Sequence, residues 1–227
     1  MRNFTLDGRL RSAAKFVRQG ATFADIGTDH AYLPLFLLAE GRINTAILAD
    51  INEGPLESAR QNARECGYYD KCRFHLTNGA IGLENEGITD AAICGMGGEL
   101  IAEIIDNAPI FRDTGVRLIL QPMSHQQDLR RYLAKEGFAI LDEEYSYSAG
   151  KYYVTLCAEY TSCPYEMSES EYEFGRCNTI SDARLGYLKN RLKTLEKIKS
   201  GKALGGSETS YEDELINYLK TLIGDAK

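Results

Sequence analysis

The chain has 227 residues, of which 44% are hydrophobic, and carries a formal net charge of −7. This composition supports a folded core and excludes a disordered chain, while no apolar run reaches the length of a membrane span. The six cysteines form no C-x-x-C pair and only three histidines are present, so we expect a cytoplasmic protein with neither a metal site nor a disulfide framework.

Positive charge is concentrated in two segments of an otherwise acidic chain. Residues 1–20 hold five basic residues and one acid, and residues 184–202 hold seven basic residues and one acid. Two basic segments on an acidic body are compatible with RNA gripped from its edges, although solvated helix faces would give the same pattern.

The first structural unit begins with an amphipathic helix predicted over residues 5–18, with Arg9 on or near its polar side. The apolar run 22–26 then predicts a buried strand, and residues 31–39 predict a helix. Strand, glycine turn and helix form the first unit of a Rossmann-like sheet, in which ligands lie at the carboxyl ends of the strands.

The turn itself, Asp25-Ile26-Gly27-Thr28-Asp29-His30, differs from a dinucleotide fingerprint. A diphosphate needs bare backbone N–H groups and little negative charge nearby, yet two acids crowd this turn. A cationic ligand therefore suits it better. S-adenosylmethionine carries a sulfonium and an ammonium group, and D-x-G after the first strand resembles motif I of class I methyltransferases. The alternative is that the acids only cap the following helix.

Polar residues follow the next two predicted strands. The strand over 45–50 ends at Asp50, and an acid at this place bonds ribose hydroxyls in Rossmann-type sheets, although an ordinary turn acid is the alternative. The strand over 73–77 is followed by Asn78-Gly79, where methyltransferases commonly place a polar side chain against adenine. Asn-Gly also favours a turn by itself.

The fourth predicted strand, 90–94, leads into Gly95-Met96-Gly97-Gly98. A flexible loop is the simplest interpretation, but three glycines also let backbone approach a ligand, and a methionine offers an adaptable apolar contact. These strand ends together give the predicted cofactor-binding set: Asp25, Gly27, Thr28, Asp29, Asp50, Ile51, Asn52, Asn78, Gly79, Gly95, Met96 and Gly97.

The combination resembles the TrmK family, the bacterial tRNA (adenine-22-N1)-methyltransferases. The resemblance rests on D-I-G-T-D-H-A-Y-L-P at 25–34, the strand-end motifs above, L-I-L-Q-P at 118–122 and G-K-Y-Y at 150–153. It implies S-adenosylmethionine as cofactor, tRNA as partner, and methylation of N1 of adenine 22 with the base extruded into the pocket. Met123 departs from the polar residue expected after Q-P.

The predicted fold is α/β, a Rossmann-like class I methyltransferase sheet with helices on both faces, closed by a hairpin of strands. Cys163-Pro164 marks a predicted boundary between a methyltransferase domain, 1–162, and a helical hairpin, 163–227. Apolar residues at heptad-like spacing predict that this hairpin is an antiparallel coiled coil. It either clamps tRNA or mediates dimerisation, so we expect a monomer or weak homodimer.

Adenine N1 attacks through its own lone pair, and the methylated ring is cationic, so the reaction needs positioning and a negative or acceptor group near the purine. Asp29 is the candidate for this group, assisted by His30. The alternatives are that Asp29 bonds the donor ammonium and that the histidine is structural. The predicted substrate-binding set is Arg9, Tyr32, Gln121, Pro122, Lys151, Tyr152, Arg184, Lys189, Arg191 and Lys193.

Three other functions fit part of the pattern. A methyltransferase for another base or a small molecule would share the strand-end motifs without needing the basic helix. A NAD-dependent oxidoreductase would need glycines where the first turn carries acids. A non-enzymatic RNA-binding adaptor would bind RNA without methyl transfer.

Overall fold

The computed structural model describes residues 5–176 and 181–224, and its centre is a seven-stranded sheet with helices on both faces. The strands are β1 (Ala21–Ile26), β2 (Ile43–Asp50), β3 (Cys72–Leu76), β4 (Asp90–Gly97), β5 (Arg117–Ser124), β6 (Phe138–Ser148) and β7 (Lys151–Tyr160). The helices are α1 (Gly8–Phe16), α2 (Tyr32–Ala39), α3 (Glu53–Cys66), α4 (Gly98–Asp106), α5 (Gln126–Lys135), α6 (Glu169–Phe174), α7 (Asp182–Leu204) and α8 (Ser210–Gly224).

The strand order is β3-β2-β1-β4-β5-β7-β6, and β7 runs antiparallel to both of its neighbours. The strand order reverses between β1 and β4, which are parallel neighbours, and the two halves of the sheet meet there. In such sheets this is the place where ligands bind, outside the carboxyl ends of the strands. The predicted α/β class and the closing hairpin are therefore confirmed.

Two hydrophobic clusters cover the two faces of the sheet. Helices α1, α2 and α3 pack on one face, whereas α4, α5, α7 and α8 pack on the other. Within β1, Phe23 belongs to the first cluster, and Ala24 and Ile26 belong to the second. This is the period of two that a strand buried on both faces requires.

The predicted element boundaries hold at β1 and α2 but differ at α1. This helix begins at Gly8 because Asp7 caps it, its carboxylate accepting the Leu10 backbone N–H at 2.8 Å. Pro34 lies in the first turn of α2, as predicted, where its missing N–H costs nothing. Helix α3 begins at Glu53, with Pro55 in its first turn.

The segment predicted to be a flexible loop, 95–98, is instead regular structure. Strand β4 continues to Gly97 and α4 begins at Gly98. The extension pairs with β5 through Met96–Pro122 and Gly97–Ser124, with register shifts between the pairs. Glycine is required at position 98 because a Cβ there would overlap the carbonyl oxygen of His125.

The C-terminal helices share the core of the sheet. Leu188 and Leu195 of α7 and Leu215 and Leu219 of α8 are buried in the same cluster as the sheet residues. The predicted antiparallel helical hairpin is confirmed, because α7, which runs to Leu204, packs against α8. The domain boundary at residues 162 and 163 stays a prediction.

A buried ion pair joins β6 to the helices that follow the sheet. Arg130 of α5 donates two hydrogen bonds to Glu143 of β6, at 2.7 and 3.0 Å, and neither side chain is exposed to solvent. Arg130 also donates to the carbonyl oxygen of Tyr172, and the Tyr145 hydroxyl donates to that of Phe174. The buried polar groups of Arg130, Glu143 and Tyr145 thus have partners, as the low dielectric requires.

Two further expectations concern the surface and the cysteines. Among the described residues, no helix combines the length and apolar character needed to cross a bilayer. Cysteines 66, 72, 94, 157 and 163 are free thiols. Cys177 lies outside the described residues.

Candidate active site

The turn after β1 is held over the end of β2. The backbone N–H groups of Gly27 and Thr28 both donate to the Ala49 carbonyl oxygen, at 2.8 and 3.0 Å. Gly27 has a positive φ of 76°, and Ala31 takes the left-handed conformation with φ 58° directly before α2. A non-glycine residue in this region is uncommon and carries strain of about 1 kcal/mol or more, so the surrounding turn must hold it in place.

The rings of His30 and Tyr32 project from this turn and stack on each other, with centroids 5.1 Å apart and planes 25° apart. The Tyr32 side chain is 41% exposed. His30 Nε2 lies 3.4 Å from Asp29, whose carboxylate is mostly in solvent, and Asn62 of α3 donates to the His30 carbonyl oxygen. The turn therefore offers one aromatic pair and one exposed carboxylate at the same place.

A crevice of about 360 Å³ opens beside the turn, between α1 and the carboxyl ends of β1 and β4. It contains six of the residues predicted from sequence to form the site. These are Arg9, Asp25, Gly27, Asp29, His30 and Tyr32. The remainder of its lining was not predicted and comes mainly from the start of α1: Thr5, Leu6, Asp7, Leu10, Ala31, Leu33 and Cys94.

Asp25 is the buried acid of the crevice, with 9% of its surface exposed. Burial raises the pKa of its carboxyl to about 6, and the charge of Asp50 adds to this effect, whereas Thr28 and Arg9 oppose it. Thr28 Oγ1 is itself buried and makes no hydrogen bond of standard geometry with the described residues, although it lies near enough to influence Asp25. A cationic ligand would relieve the cost of ionising this carboxyl.

Cys94 also lines the crevice, on the strand that pairs with that of Asp25. Burial raises the pKa of its thiol to about 12, and the charge of Asp25 contributes to the rise. The thiol therefore stays protonated at neutral pH and serves as a small polarizable wall of the crevice.

Gln121, predicted to contact substrate, is instead fully buried behind the crevice. Its Oε1 accepts hydrogen bonds from Arg9 Nη1 at 3.0 Å and from the Gly95 backbone N–H at 3.2 Å. Pro122 is buried beside it, and neither residue lines the crevice. Sequence placed both at the correct edge but could not show that the amide is used inside the protein.

Comparisons with known proteins all point to methyltransferases. A family model described as a methyltransferase domain matches residues 6–156. The chain is 36% identical over 160 residues to the tRNA (adenine(22)-N(1))-methyltransferase of Bacillus subtilis. These aligned residues cover 70% of this chain and 67% of that protein. The crystal structure of B. subtilis TrmK, an m1A22 tRNA methyltransferase, matches 98% of this chain and 97% of that chain at 26% identity, with a TM-score of 0.78. This chain belongs to the TrmK family.

Two further solved structures contain the donor or its product. TrmK of M. capricolum, in complex with S-adenosyl-homocysteine, matches 97% of this chain and 99% of that chain at 27% identity, with a TM-score of 0.79. The Streptococcus pneumoniae protein Sp1610, in complex with S-adenosyl-L-methionine, matches 96% of this chain and all of that chain at 32% identity, with a TM-score of 0.84. The likeness therefore includes the C-terminal helices, which the family model does not cover.

In this TrmK-family chain, the acid at the end of β2 is used within its own turn. Asp50 Oδ1 accepts the Asn52 backbone N–H at 2.7 Å, and the intervening Ile51 is 62% exposed. Neither Asp50 nor its two successors line the crevice, although Asp50 is close enough to raise the pKa of Asp25. Its turn role is therefore observed, and a ribose-binding role stays a prediction.

The Asn78-Gly79 turn of this TrmK-family chain lies apart from the crevice, against α4. The two residues line a separate cavity of about 20 Å³ with Leu100, Ile104 and others. Gly79 adopts the left-handed conformation, with φ 62°, and Asn78 does not. Asn78 is exposed, and its predicted contact with adenine stays a prediction.

Of the remaining predicted cofactor-binding residues, Met96 reaches back across the end of β1. A Cβ at Gly27 would overlap the Met96 methyl group, so glycine at position 27 leaves space for this contact. Gly95 faces Arg9 in the same way, since a Cβ there would lie 3.2 Å from Arg9 Nη1. Gly97 has extended backbone and packs near the Ser124 hydroxyl.

The prediction that Arg184 faces RNA is wrong, because its side chain is 1% exposed. Its guanidinium lies 5.4 Å from the centroid of the Tyr145 ring, in the contact between α7 and β6. Arg191 is less available to RNA than predicted, because it forms an ion pair at 2.9 Å with Glu173. Burial of a long charged residue is uncommon, and the basic run alone gave no signal of it.

Lys189 and Lys193 of α7 are exposed, as is Lys197 one turn further along. The described part of the chain offers these three lysines no ion-pair partner, whereas Lys199 and Lys202 pair with Asp213 and Glu212 of α8. Because the three are spaced four residues apart, they form one stripe along the helix, here called the lysine stripe.

Lys151 and Tyr152 lie at the start of β7, next to the tip of the closing hairpin. Because β7 is antiparallel to β5, this tip lies at the same edge of the sheet as the crevice. Lys151 is exposed, but the Tyr152 ring is 4.8 Å from that of Tyr147 and packs on Gly186 of α7. Tyr152 therefore joins the hairpin to α7, and it does not line the crevice.

Glu99, His125 and Asp128 form an exposed cluster whose ligand-type atoms lie within 4.8 Å of one another. His125 Nδ1 is 3.0 Å from Asp128 and 3.7 Å from Glu99. The contact between His125 and Asp128 is a hydrogen bond between side chains three residues apart, which needs no bound ion. The expectation that the protein has no metal site stays a prediction.

We expect Asp25→Asn to stabilise the protein without ligand. The raised pKa means that stability present below the ordinary pKa of 3.8 is lost as the pH rises towards 6. The free energy of unfolding gained by the substitution should therefore grow as the pH rises between these two values. Above the higher value it should stay constant, at about 2 to 3 kcal/mol. Thermal unfolding at a series of pH values measures this difference.

Asp29→Asn is the matched control, because this carboxylate lies on the same turn but is mostly in solvent. Its stability should change by less than about 0.5 kcal/mol at any pH. Parallel curves for wild type and Asp25→Asn across the interval would contradict the assignment of a buried, reluctantly ionised carboxyl.

Proposed function

We infer that this protein transfers a methyl group from S-adenosylmethionine to N1 of an adenine in tRNA, at position 22 as in its named relatives. The observation that carries the assignment is the crevice beside Gly27, in which a buried carboxyl faces an aromatic pair and an exposed acid. Family membership supplies the reaction class, and the crevice supplies groups of matching charge.

The chain's own residues fit a sulfonium donor. Asp25 is costly to ionise while the crevice holds no cation, and a cation beside it would favour the ionised form. The buried Thr28 hydroxyl is an additional polar group at the same place. Negative charge here disfavours the diphosphate of a nicotinamide cofactor, which is the chemical argument against an oxidoreductase.

S-adenosylmethionine, when bound, supplies an electrophilic methyl group on a positively charged sulfur. The attacking nitrogen needs no base, because its lone pair lies in the plane of the ring. What remains for the protein is to hold the ring in line with the methyl group and to stabilise the positive charge that the ring acquires. We assign the second task to Asp29, with His30 as its neighbour at 3.4 Å.

The target base must leave its stack before its N1 edge is accessible, at a cost of a few kcal/mol. The stacked rings of His30 and Tyr32 offer a replacement surface at the crevice mouth. Stacking on an aromatic side chain is worth about 1–3 kcal/mol per base, which offsets much of this cost. We therefore assign Tyr32 to the base and withdraw Tyr152 from that role, because its ring is committed to Tyr147 and α7.

Contacts with the rest of the tRNA are assigned to the lysine stripe and to Lys151 at the hairpin tip. These lysines are exposed and unpaired within the described residues, so their charge is available to phosphates. Much of the positive charge counted in the sequence is not available in this way. Arg18 pairs with Asp90 and Lys15 with Glu144, besides the paired residues of α7.

Asp29→Ala should lower the single-turnover rate of methyl transfer about a hundredfold, because the charge that develops on the ring loses its partner. The affinity for S-adenosylhomocysteine, measured by calorimetry, should stay the same. Asp29→Asn keeps a hydrogen-bond acceptor, so its rate of methyl transfer should fall by less than that of Asp29→Ala. An undiminished rate would refute the catalytic role, and a lost affinity for the product would assign Asp29 to the donor ammonium instead.

Replacing Lys189, Lys193 and Lys197 by glutamine should weaken tRNA binding and flatten its dependence on salt. Each phosphate contact that is lost should lower the slope of log affinity against log salt by about 0.7 to 0.9. Lys199→Gln with Lys202→Gln is the matched control, because both lysines are already paired. Equal effects of the two sets would contradict an RNA-binding role for the lysine stripe.

Donor affinity should fall about tenfold for each unit of pH below 6, because Asp25 must ionise to hold the cation and its pKa is about 6 without ligand. Binding near this pH should also release a proton to the buffer. Calorimetry with S-adenosylmethionine between about pH 5 and pH 8 measures both effects. Asp25→Asn should bind weakly at every pH, and a wild-type affinity independent of pH would contradict the assignment.

A further inference from the structure

Gln121 is a buried polar residue for which the proposed reaction has no direct use. Its side chain is 0% exposed at the carboxyl end of β5, and it does not line the crevice. A buried amide costs free energy unless it is hydrogen-bonded, so its partners indicate what it does.

Two distant segments meet at the Gln121 side chain, which also bonds its own strand. Its Oε1 accepts from Arg9 of α1 and from the Gly95 N–H at the end of β4, at 3.0 and 3.2 Å. Its Nε2 donates to the Pro122 carbonyl oxygen at 3.2 Å. Two donors converge on the oxygen, which determines the orientation of the amide.

The partner that reaches the crevice is Arg9. Its side chain is 23% exposed, and its second terminal nitrogen lies 3.7 Å from Asp7. Gly95 has a φ of 82° and no side chain, which leaves room for the guanidinium. Gln121 therefore holds the guanidinium on the side away from the crevice, and part of the Arg9 surface lines the crevice.

We propose that Gln121 is a positioning residue that holds Arg9 as the anion-binding group of the crevice. This inference rests on the proposed function, since both reactants carry an anionic oxygen group. One is the α-carboxylate of the donor, and the other is a phosphate beside the target adenine. The shared chemistry is an anionic oxygen, which a guanidinium binds through two parallel N–H groups.

A neutral amide is suited to this task for an electrostatic reason. A carboxylate at position 121 would also accept from Arg9, but it would cancel the guanidinium charge at short range in a buried place. Glutamine fixes the position of the guanidinium without adding a second carboxylate to Asp7, which lies 3.7 Å from the other terminal nitrogen of Arg9. Gln121→Glu therefore separates orientation from charge, whereas Gln121→Met removes the hydrogen bond while keeping the length of the side chain.

The test compares Arg9→Met, Gln121→Met, Gln121→Glu and the double variant Arg9→Met with Gln121→Met. Each is titrated with S-adenosylhomocysteine, with 5′-methylthioadenosine, which lacks the amino-acid group, and with unmodified tRNA. Each single variant should weaken one anionic ligand about tenfold or more, because a charge-assisted hydrogen bond is lost or neutralised. The double variant should bind no more weakly than Arg9→Met alone, because Gln121 acts through Arg9.

The ligand that responds identifies the anion. Weaker binding of S-adenosylhomocysteine with unchanged binding of methylthioadenosine indicates the donor carboxylate. Unchanged binding of both with weaker binding of tRNA indicates a phosphate. Gln61→Met is the matched control, since this exposed amide bonds only Glu65 among the described residues and should leave all three affinities at wild-type values.

Two results would overturn the proposal. One is wild-type affinity for all three ligands in Gln121→Met, with a melting temperature that shows the variant is folded. The other is an additive loss in the double variant, which would mean that Gln121 acts independently of Arg9. These titrations measure binding alone, so a wild-type protein that bound the ligands yet methylated no tRNA would refute the proposed function and leave this inference standing.

Discussion

The site depends on one constraint of β-structure, the alternation of side chains between the two faces of a strand. Asp25, Asp50, Cys94 and Gln121 stand in phase with residues such as Phe23, Leu48, Ala92 and Ile119, which all belong to the cluster under α1, α2 and α3. The four therefore point to the same face at the carboxyl ends of β1, β2, β4 and β5. A shift of one residue in any strand would move its polar group to the opposite face, under α4 and α5.

The same constraint explains why the site destabilises the folded protein. A carboxyl near the carboxyl end of a buried strand loses most of its hydration, which raises its pKa. The charge of Arg9 opposes this rise only in part. An uncharged residue at position 25 would suit the core better. In the proposed function, a sulfonium or ammonium group supplies the counter-charge that the buried carboxyl lacks. Destabilisation without ligand and affinity for a cation are two consequences of one buried charge.

The sequence predicted those parts of the fold that local patterns determine. Apolar runs, turn glycines and capping residues gave the order of strands and helices, and the acids flanking Gly27 indicated the place of the site. Interactions between distant residues left no such pattern. Gln121 is a buried bridge because α1 folds back over β5, and Arg184 is buried because Tyr145 lies beneath α7. The start of α1 enters the crevice for the same reason, so Asp7 and Leu6 were missed.

The burial of Arg184 also bears on how tRNA meets the crevice. The helix that carries the lysine stripe is anchored in the core near its start, where Leu188 is fully buried immediately before the exposed Lys189. The Arg130–Glu143 pair ties the preceding segment to β6, and Tyr152 ties the hairpin tip to α7. Residues that sequence suggested as RNA contacts thus serve to fix the direction of the helix. In the proposed function, one tRNA contacts both the lysine stripe and the crevice, two surfaces that these contacts hold in a fixed relation. On that proposal, the nucleotide that enters the crevice is set by its distance from the phosphates on the stripe.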